Sequence, residues 1–194
     1  MIATLLLLGS IVLLRIAPWA AGGDTLKAAA GFAPLIGLAV CSGAFLPRRS
    51  AIAVGLAAVL VPQFFIHHLT GTPFWGSFLA VQLAAATLAI AAGSAVRTKS
   101  SAVPVLAASA LSTVLFYLLS NTVSFFSAPG YPPTIAGWWQ CLTTGLPEFS
   151  PQTWVFGLRQ LIGDTSFTAL FWLLCRSHSR KSSAAHGMTP ATSL

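Results

Sequence analysis

Charge is what this chain has least of: 194 residues carry ten Lys or Arg and three Asp or Glu, 7% of the total, against 56% hydrophobic residues. So few charges cannot clothe a soluble domain of this size, and the chain reads as an integral membrane protein. No long polar stretch interrupts it, which excludes a soluble catalytic domain. The three cysteines, Cys41, Cys141 and Cys175, fall in separate apolar segments without metal-ligand spacing and are expected to be buried apolar residues. A phosphate-cradling Gly-x-x-x-x-Gly-Lys-Ser/Thr loop is missing, so any ATP hydrolysis belongs to partners. No nucleophile, base and orienting group stand in a recognisable order either. We therefore expect no enzyme activity, no cofactor and no nucleic-acid partner.

What the chain does have is a series of apolar runs near the twenty or so residues needed to cross a hydrocarbon core of about 30 Å, which favours a helical bundle over a barrel. Met1 to about Trp19 reads as the first span. A cleaved signal peptide is the rival, since Trp19-Ala20-Ala21-Gly22-Gly23 offers small residues, but no basic region precedes the apolar run and Arg15 follows it. A connector with Asp24 and Lys27 leads to a second segment, about Phe32 to Leu46, short for a crossing and opening near Pro34, where a missing N–H costs little. Pro47-Arg48-Arg49 ends it. A third span, about Ser50 to Leu69, contains Pro62 and ends in His67-His68. Gly71-Thr72-Pro73 turns into a fourth, about Phe74 to Val96, and the fifth covers about Ala102 to Phe126. The sixth runs from about Thr153 to Cys175. The expected architecture is an all-α, integral membrane six-helix bundle over residues 1–176, with a polar, disordered tail over 177–194.

About 26 residues separate spans five and six, long for a connection in a compact domain. Within them Thr134 to Gly145 is apolar but too short to cross, which predicts a re-entrant or interfacial helix. With six spans, Arg48, Arg49, Arg97, Lys99, Arg176, Arg180 and Lys181 share one side, and the positive-inside rule makes that side cytoplasmic. Both termini are then inside a bacterial inner membrane. The surplus of positive charge is thus a topology signal, with some affinity for a lipid surface. Ala39-xxx-Gly43, Ala51-xxx-Gly55, Ala53-xxx-Ala57, Ala85-xxx-Ala89 and Ala89-xxx-Gly93 are patterns that let helices approach closely.

The polar residues concentrate between Asn121 and Asp164. Asp164 falls near the middle of a span of about 35 Å, where an ionised carboxylate costs on the order of 3 kcal/mol and needs a partner. Gln160 precedes it by one turn and Arg159 is rotated away. Two readings are open: internal pairing, Arg15 with Asp164 or Arg159 with Glu148, or a ligand site. Tyr131, Trp138 and Trp139 can stack on a planar ligand or sit in an interfacial aromatic belt; they share a loop with Gln140 and Glu148. The candidate ligand-binding set is Arg15, Asn121, Trp138, Trp139, Gln140, Arg159, Gln160 and Asp164. His67 and His68 are adjacent and point about 100° apart on a helix, so a metal there needs further ligands converging; capping of the helix end is the alternative.

FAPLIGLAVCSGAFLPRRS, TPFWGSFLAVQLAAATLAI, LLSNTVSFFSAPGYPPTIAGWWQCLTTGLPEF and LRQLIGDTSFTALFWLL resemble a family of small bacterial membrane proteins of uncharacterised role. Their order is similar to that of the substrate-binding S components of energy-coupling factor (ECF) vitamin transporters, biotin-type ones especially. The shared features are the opening at Phe32-Ala33-Pro34, the Gly/Pro turn before span four, the short helix before span six, and Gly163-Asp164. Where the biotin-type components carry a ligand-contacting lysine, this chain has Phe167. The resemblance implies a subunit that captures a vitamin-like solute from outside and works with a transmembrane coupling subunit and two ATPases. From the residues alone, an accessory or assembly subunit of a larger membrane complex is the alternative.

Overall fold

The computed structural model describes residues 34–97, 101–148 and 151–186, together with Gly9 and Ile16. The first expected span, with Arg15, Trp19, Asp24 and Lys27, lies outside the described residues, as does Lys99. The described chain is helical throughout: α1 (Leu35–Phe45), α2 (Arg48–Thr70), α3 (Ser77–Ala95), α4 (Ala102–Ser127), α5 (Ile135–Leu142) and α6 (Thr153–His186). Of these, α2, α3 and α4 are long and apolar enough to cross a membrane. α6 is longer, but Arg159, Gln160 and Asp164 interrupt its apolar character, and it ends at His186, beyond the Cys175 at which the hydropathy pattern stops. Exposed leucines and valines on the long helices, such as Leu111 at 71% and Val103 at 70%, form the apolar exterior that a lipid solvent accepts and water does not.

Chain punctuation sets the boundaries. Pro47 starts α2 and Gly71, with φ of 68°, ends it in the left-handed conformation that glycine adopts without strain. Ser101 begins α4 by accepting a hydrogen bond from the Val103 amide, and Thr134 does the same for Gly137 at the start of α5.

The organising element is the shortest one in the interior. α1 has 11 residues, about 16 Å at 1.5 Å per residue, half the depth of a bilayer core. Leu35 to Ala44 are all buried, and α1 packs against α2, α3, α4 and α6. A helix buried at its N-terminus and half-buried at its C-terminus needs partners for its free N–H and C=O groups, and distant residues supply them. At the N-terminus, the Asp164 carboxylate of α6 accepts from the Gly37 amide at 2.7 Å. At the C-terminus, Arg97 donates from Nη2 to the carbonyls of Gly43 (2.8 Å) and Leu46 (2.7 Å), and from Nε to Gly43 again (3.2 Å). A negative group thus sits at the positive end of the helix dipole and a positive group at its negative end.

Glycines allow this helix to be enclosed. A Cβ on Gly43 would overlap the Ile90 carbonyl of α3, and a Cβ on Gly93 would overlap the Val40 carbonyl of α1, so the two backbones touch reciprocally. On the α6 side, a Cβ at Gly37 would lie 2.6 Å from the Asp164 carbonyl oxygen. Phe45 stacks on Phe171 with ring centroids 5.5 Å apart, so α1 and α6 run side by side in the same direction. Arg48, Arg49, Arg97 and Arg176 therefore gather at one end of the bundle.

Replacing Arg97 by Ala uncovers the Gly43 and Leu46 carbonyls, and we expect a loss of about 1–2 kcal/mol, the scale of a charge-assisted hydrogen bond at a helix end. Arg97→Lys recovers only part, because a single ammonium nitrogen cannot reproduce the three bonds that Nε and Nη2 make from two fixed positions. Thermal unfolding in detergent checks both.

Candidate functional site

Three helices meet at Asp164 in a knot of polar groups. Its side chain is fully buried; Oδ1 accepts from Gly37 N and Oδ2 from Thr113 Oγ1 of α4 at 2.8 Å. The Ile36 amide also interacts with the carboxylate. The Asp164 carbonyl accepts from Thr168 Oγ1 (2.7 Å) and Ser109 Oγ (3.4 Å). Both carboxylate oxygens are therefore occupied within the protein. Among the described residues no ion pair forms with Asp164, and Glu148, exposed on the loop, makes none with Arg159. Among the described residues, the N-terminus of α1 is the partner that this buried carboxyl group needs.

One turn from this knot, on the side away from the arginine end of the bundle, lies a cavity of about 430 Å³ between α4 and α6, roofed by α5. Its polar wall on α4 is Tyr117, Ser120, Asn121 and Ser124, spaced i, i+3, i+4 and i+7, which places all four on one helix face. Phe78, Phe116 and Phe156 supply apolar wall, and Gln160 contributes from α6. Tyr117 shapes the site: its ring lies across Gly157, where an added Cβ would stand 2.7 Å from the ring, and its hydroxyl donates to the Leu142 carbonyl at the end of α5. Further anchors hold α5 in place: Cys141 Sγ donates to the Asn121 carbonyl at 3.2 Å, and Trp138 Nε1 donates to Thr122 Oγ1 at 3.0 Å. Burial pushes the Tyr131 phenol up to about 12, so this wall residue is neutral at physiological pH.

The expected site residues separate into groups. Asn121 and Gln160 line the cavity. Asn121 Nδ2 donates to the Tyr117 carbonyl at 2.8 Å, which turns its Oδ1 free as an acceptor. Gln160 makes no side-chain hydrogen bond among the described residues. Trp138 borders a neighbouring groove of about 770 Å³, with Phe125, Phe126, Tyr131 and Ile135. Trp139 is 62% exposed. Gln140 Nε2 donates to the Gly145 carbonyl at 3.1 Å and so fastens the turn after α5, where Gly145 has φ of 76°. Arg159 is half-buried, its Nη1 without a partner among the described residues, and it does not appear in the cavity wall. Asp164 lies beneath the cavity, not in its wall. Arg15 is outside the described residues.

His67 Nδ1 donates to the Thr72 carbonyl and His68 Nδ1 to the Phe64 carbonyl, with their rings 5.2 Å apart at 89°. They secure the end of α2, and no group of three or more His, Cys, Asp or Glu comes together among the described residues. Sequence reasoning missed Tyr117, Ser120 and Ser124, although their helical spacing around Asn121 was a readable signal.

The model of a family of unknown function, DUF6580, matches residues 1–185, and the chain belongs to that family. No curated protein and no solved structure matches it.

Proposed function

We propose that this DUF6580 protein is a substrate-capture subunit of the cytoplasmic membrane, binding a small, vitamin-like solute in the cavity between α4, α5 and α6, in the manner of the S components that it resembles. The basic end of the bundle then faces the cytoplasm and the cavity opens on the opposite side. The observation that carries this reading is the cavity itself: about 430 Å³ is within the range of small-molecule sites, and a mostly apolar wall with a few convergent polar groups is their usual composition. Transport would need a transmembrane coupling subunit and ATPases as partners.

Native mass spectrometry after gentle extraction tests it. The expected result is a retained small molecule that disappears in Ser120→Phe, whose ring fills the cavity while the helical content is unchanged. A protein extracted empty under all conditions overturns the reading. The accessory-subunit reading draws on Phe126 and Ile135, 79% and 85% exposed beside the larger groove. Co-purification separates the two: an ATPase-containing partner supports transport, and a respiratory or secretory complex supports the accessory role.

A further inference from the structure

The capture reading leaves the class of solute open, and the chemistry of the cavity narrows it. We infer that the cavity selects an uncharged molecule presenting an amide-type edge, a hydrogen-bond donor beside an acceptor, on an apolar ring or face. This rests on the capture reading and deepens it.

The first observation is the character of the wall. Among the described residues that line the cavity there is no Asp, Glu, Lys, Arg or His. A charged solute would enter a largely apolar site at bilayer depth with no counter-charge, which costs several kcal/mol in such a setting. Asp164, one turn below on α6, does not change this. Its oxygens are held by Gly37 N and Thr113 Oγ1, its carboxyl group faces the N-terminus of α1, and it is fully buried, so it offers a cation nothing to bind.

The second observation is which hydrogen-bonding groups are still free. Tyr117, Ser120 and Ser124 already donate their hydroxyl hydrogens, to the carbonyls of Leu142, Tyr117 and Ser120 respectively. They retain only acceptor capacity toward a ligand. Asn121 has spent one N–H on the Tyr117 carbonyl. The Thr153 hydroxyl, also in the wall, makes no side-chain hydrogen bond among the described residues, but it is a single atom; Gln160 has both an N–H donor set and a carbonyl acceptor unused among the described residues, side by side in the cavity wall. A carboxamide of this kind pairs in two-point fashion with another amide-type edge. Phe78, Phe116 and Phe156 supply flat apolar surface for the body of the same molecule.

The test uses three phenyl probes of similar size that differ in charge: benzamide, its planar isostere benzoate, and benzylamine as its ammonium. Binding to the full-length protein in nanodiscs is read by calorimetry. Affinities are on the order of millimolar, as fragments of this size permit. We expect saturable benzamide binding, with benzoate and benzylammonium at least about tenfold weaker. Gln160→Leu should weaken benzamide about tenfold without moving the thermal unfolding midpoint, because the wild-type carboxamide holds no partner among the described residues. Gln160→Glu should lose benzamide preference and gain benzylammonium binding. Equal or tighter binding of benzoate or benzylammonium to the wild type overturns this inference and leaves the capture reading standing. No saturable binding of any probe overturns it as well, and if the extracted protein is also empty the capture reading falls with it.

Discussion

Asp164→Leu should fail to accumulate as a folded protein, and Asp164→Asn should fold. Leucine fills a similar volume but accepts nothing, so the Gly37 and Ile36 amides lose their partner at a fully buried position, while the Thr113 hydroxyl falls back on the Ser109 carbonyl alone. An orphaned buried donor costs about 1–3 kcal/mol, and the lost interaction with the end of the α1 dipole adds up to about 2 kcal/mol. The expected loss for Asp164→Leu is on the order of 4 kcal/mol, a large share of a typical folding free energy. Asparagine keeps Oδ1 for Gly37 and turns Nδ2 toward Thr113 Oγ1. The Thr113 hydroxyl also lies 3.0 Å from the Ser109 carbonyl, so it can accept from Asn and donate there without losing a bond. Chemical unfolding by far-UV circular dichroism, on protein in nanodiscs, reads the contrast. If Asp164→Leu proves as stable as the wild type, the capping role is wrong. If Asp164→Asn is as damaging as Leu, the negative charge, and not the acceptor, is what α1 requires.

Gly93→Ala should be nearly as severe, although it adds one methyl group. The new Cβ meets the Val40 carbonyl of α1, a backbone atom, so no rotamer change relieves it and α1 and α3 must separate. That separation disturbs Arg97, four residues further along, and its hold on the Gly43 carbonyl. Overpacking of a tight core costs about 1–3 kcal/mol or more, and we expect the upper part of that range. Gly55→Ala provides the control. Its Cβ would stand 2.5 Å from Ile90 Cδ1, the free end of a side chain that can rotate away, so a loss below about 1 kcal/mol is expected. Equal losses at the two positions would mean that the α1–α3 contact has more freedom than its geometry indicates.

Much of the helical framework was legible because the chain marks its own turns. Pro47 and Gly71 stand at or beside the boundaries they were expected to set, α4 starts at the expected Ala102, and the short helix between α4 and α6 occupies Ile135–Leu142 within the segment read as too short to cross. The internal partner of Asp164 was not legible. Its length flagged α1 as unable to span, and its depth flagged Asp164 as needing a partner, but the two are 127 residues apart. The partner is a row of backbone amides that no side-chain pattern announces. Arg97 looked like a topological charge in a turn, and its three hydrogen bonds to α1 depend on the reciprocal fit of Gly43 and Gly93. Of the cavity wall, Asn121 and Gln160 were found from polarity alone. Tyr117 and Ser120 were not, since a hydroxyl in a spanning helix is as often turned back on its own backbone.

The two-ended capping of α1 also fixes an order of assembly. Eleven residues leave the ribosome as a segment too short to cross a bilayer, and its C-terminal guardian Arg97 is 54 residues behind Gly43, with Asp164 later still. Until α6 has been synthesised, the amides of Ile36 and Gly37 have no acceptor at membrane depth. The half-helix must therefore wait at the membrane surface, or in a wet cleft between its neighbours, and dock only when the last helix brings its carboxylate. The interior of this protein is completed by the final span to arrive.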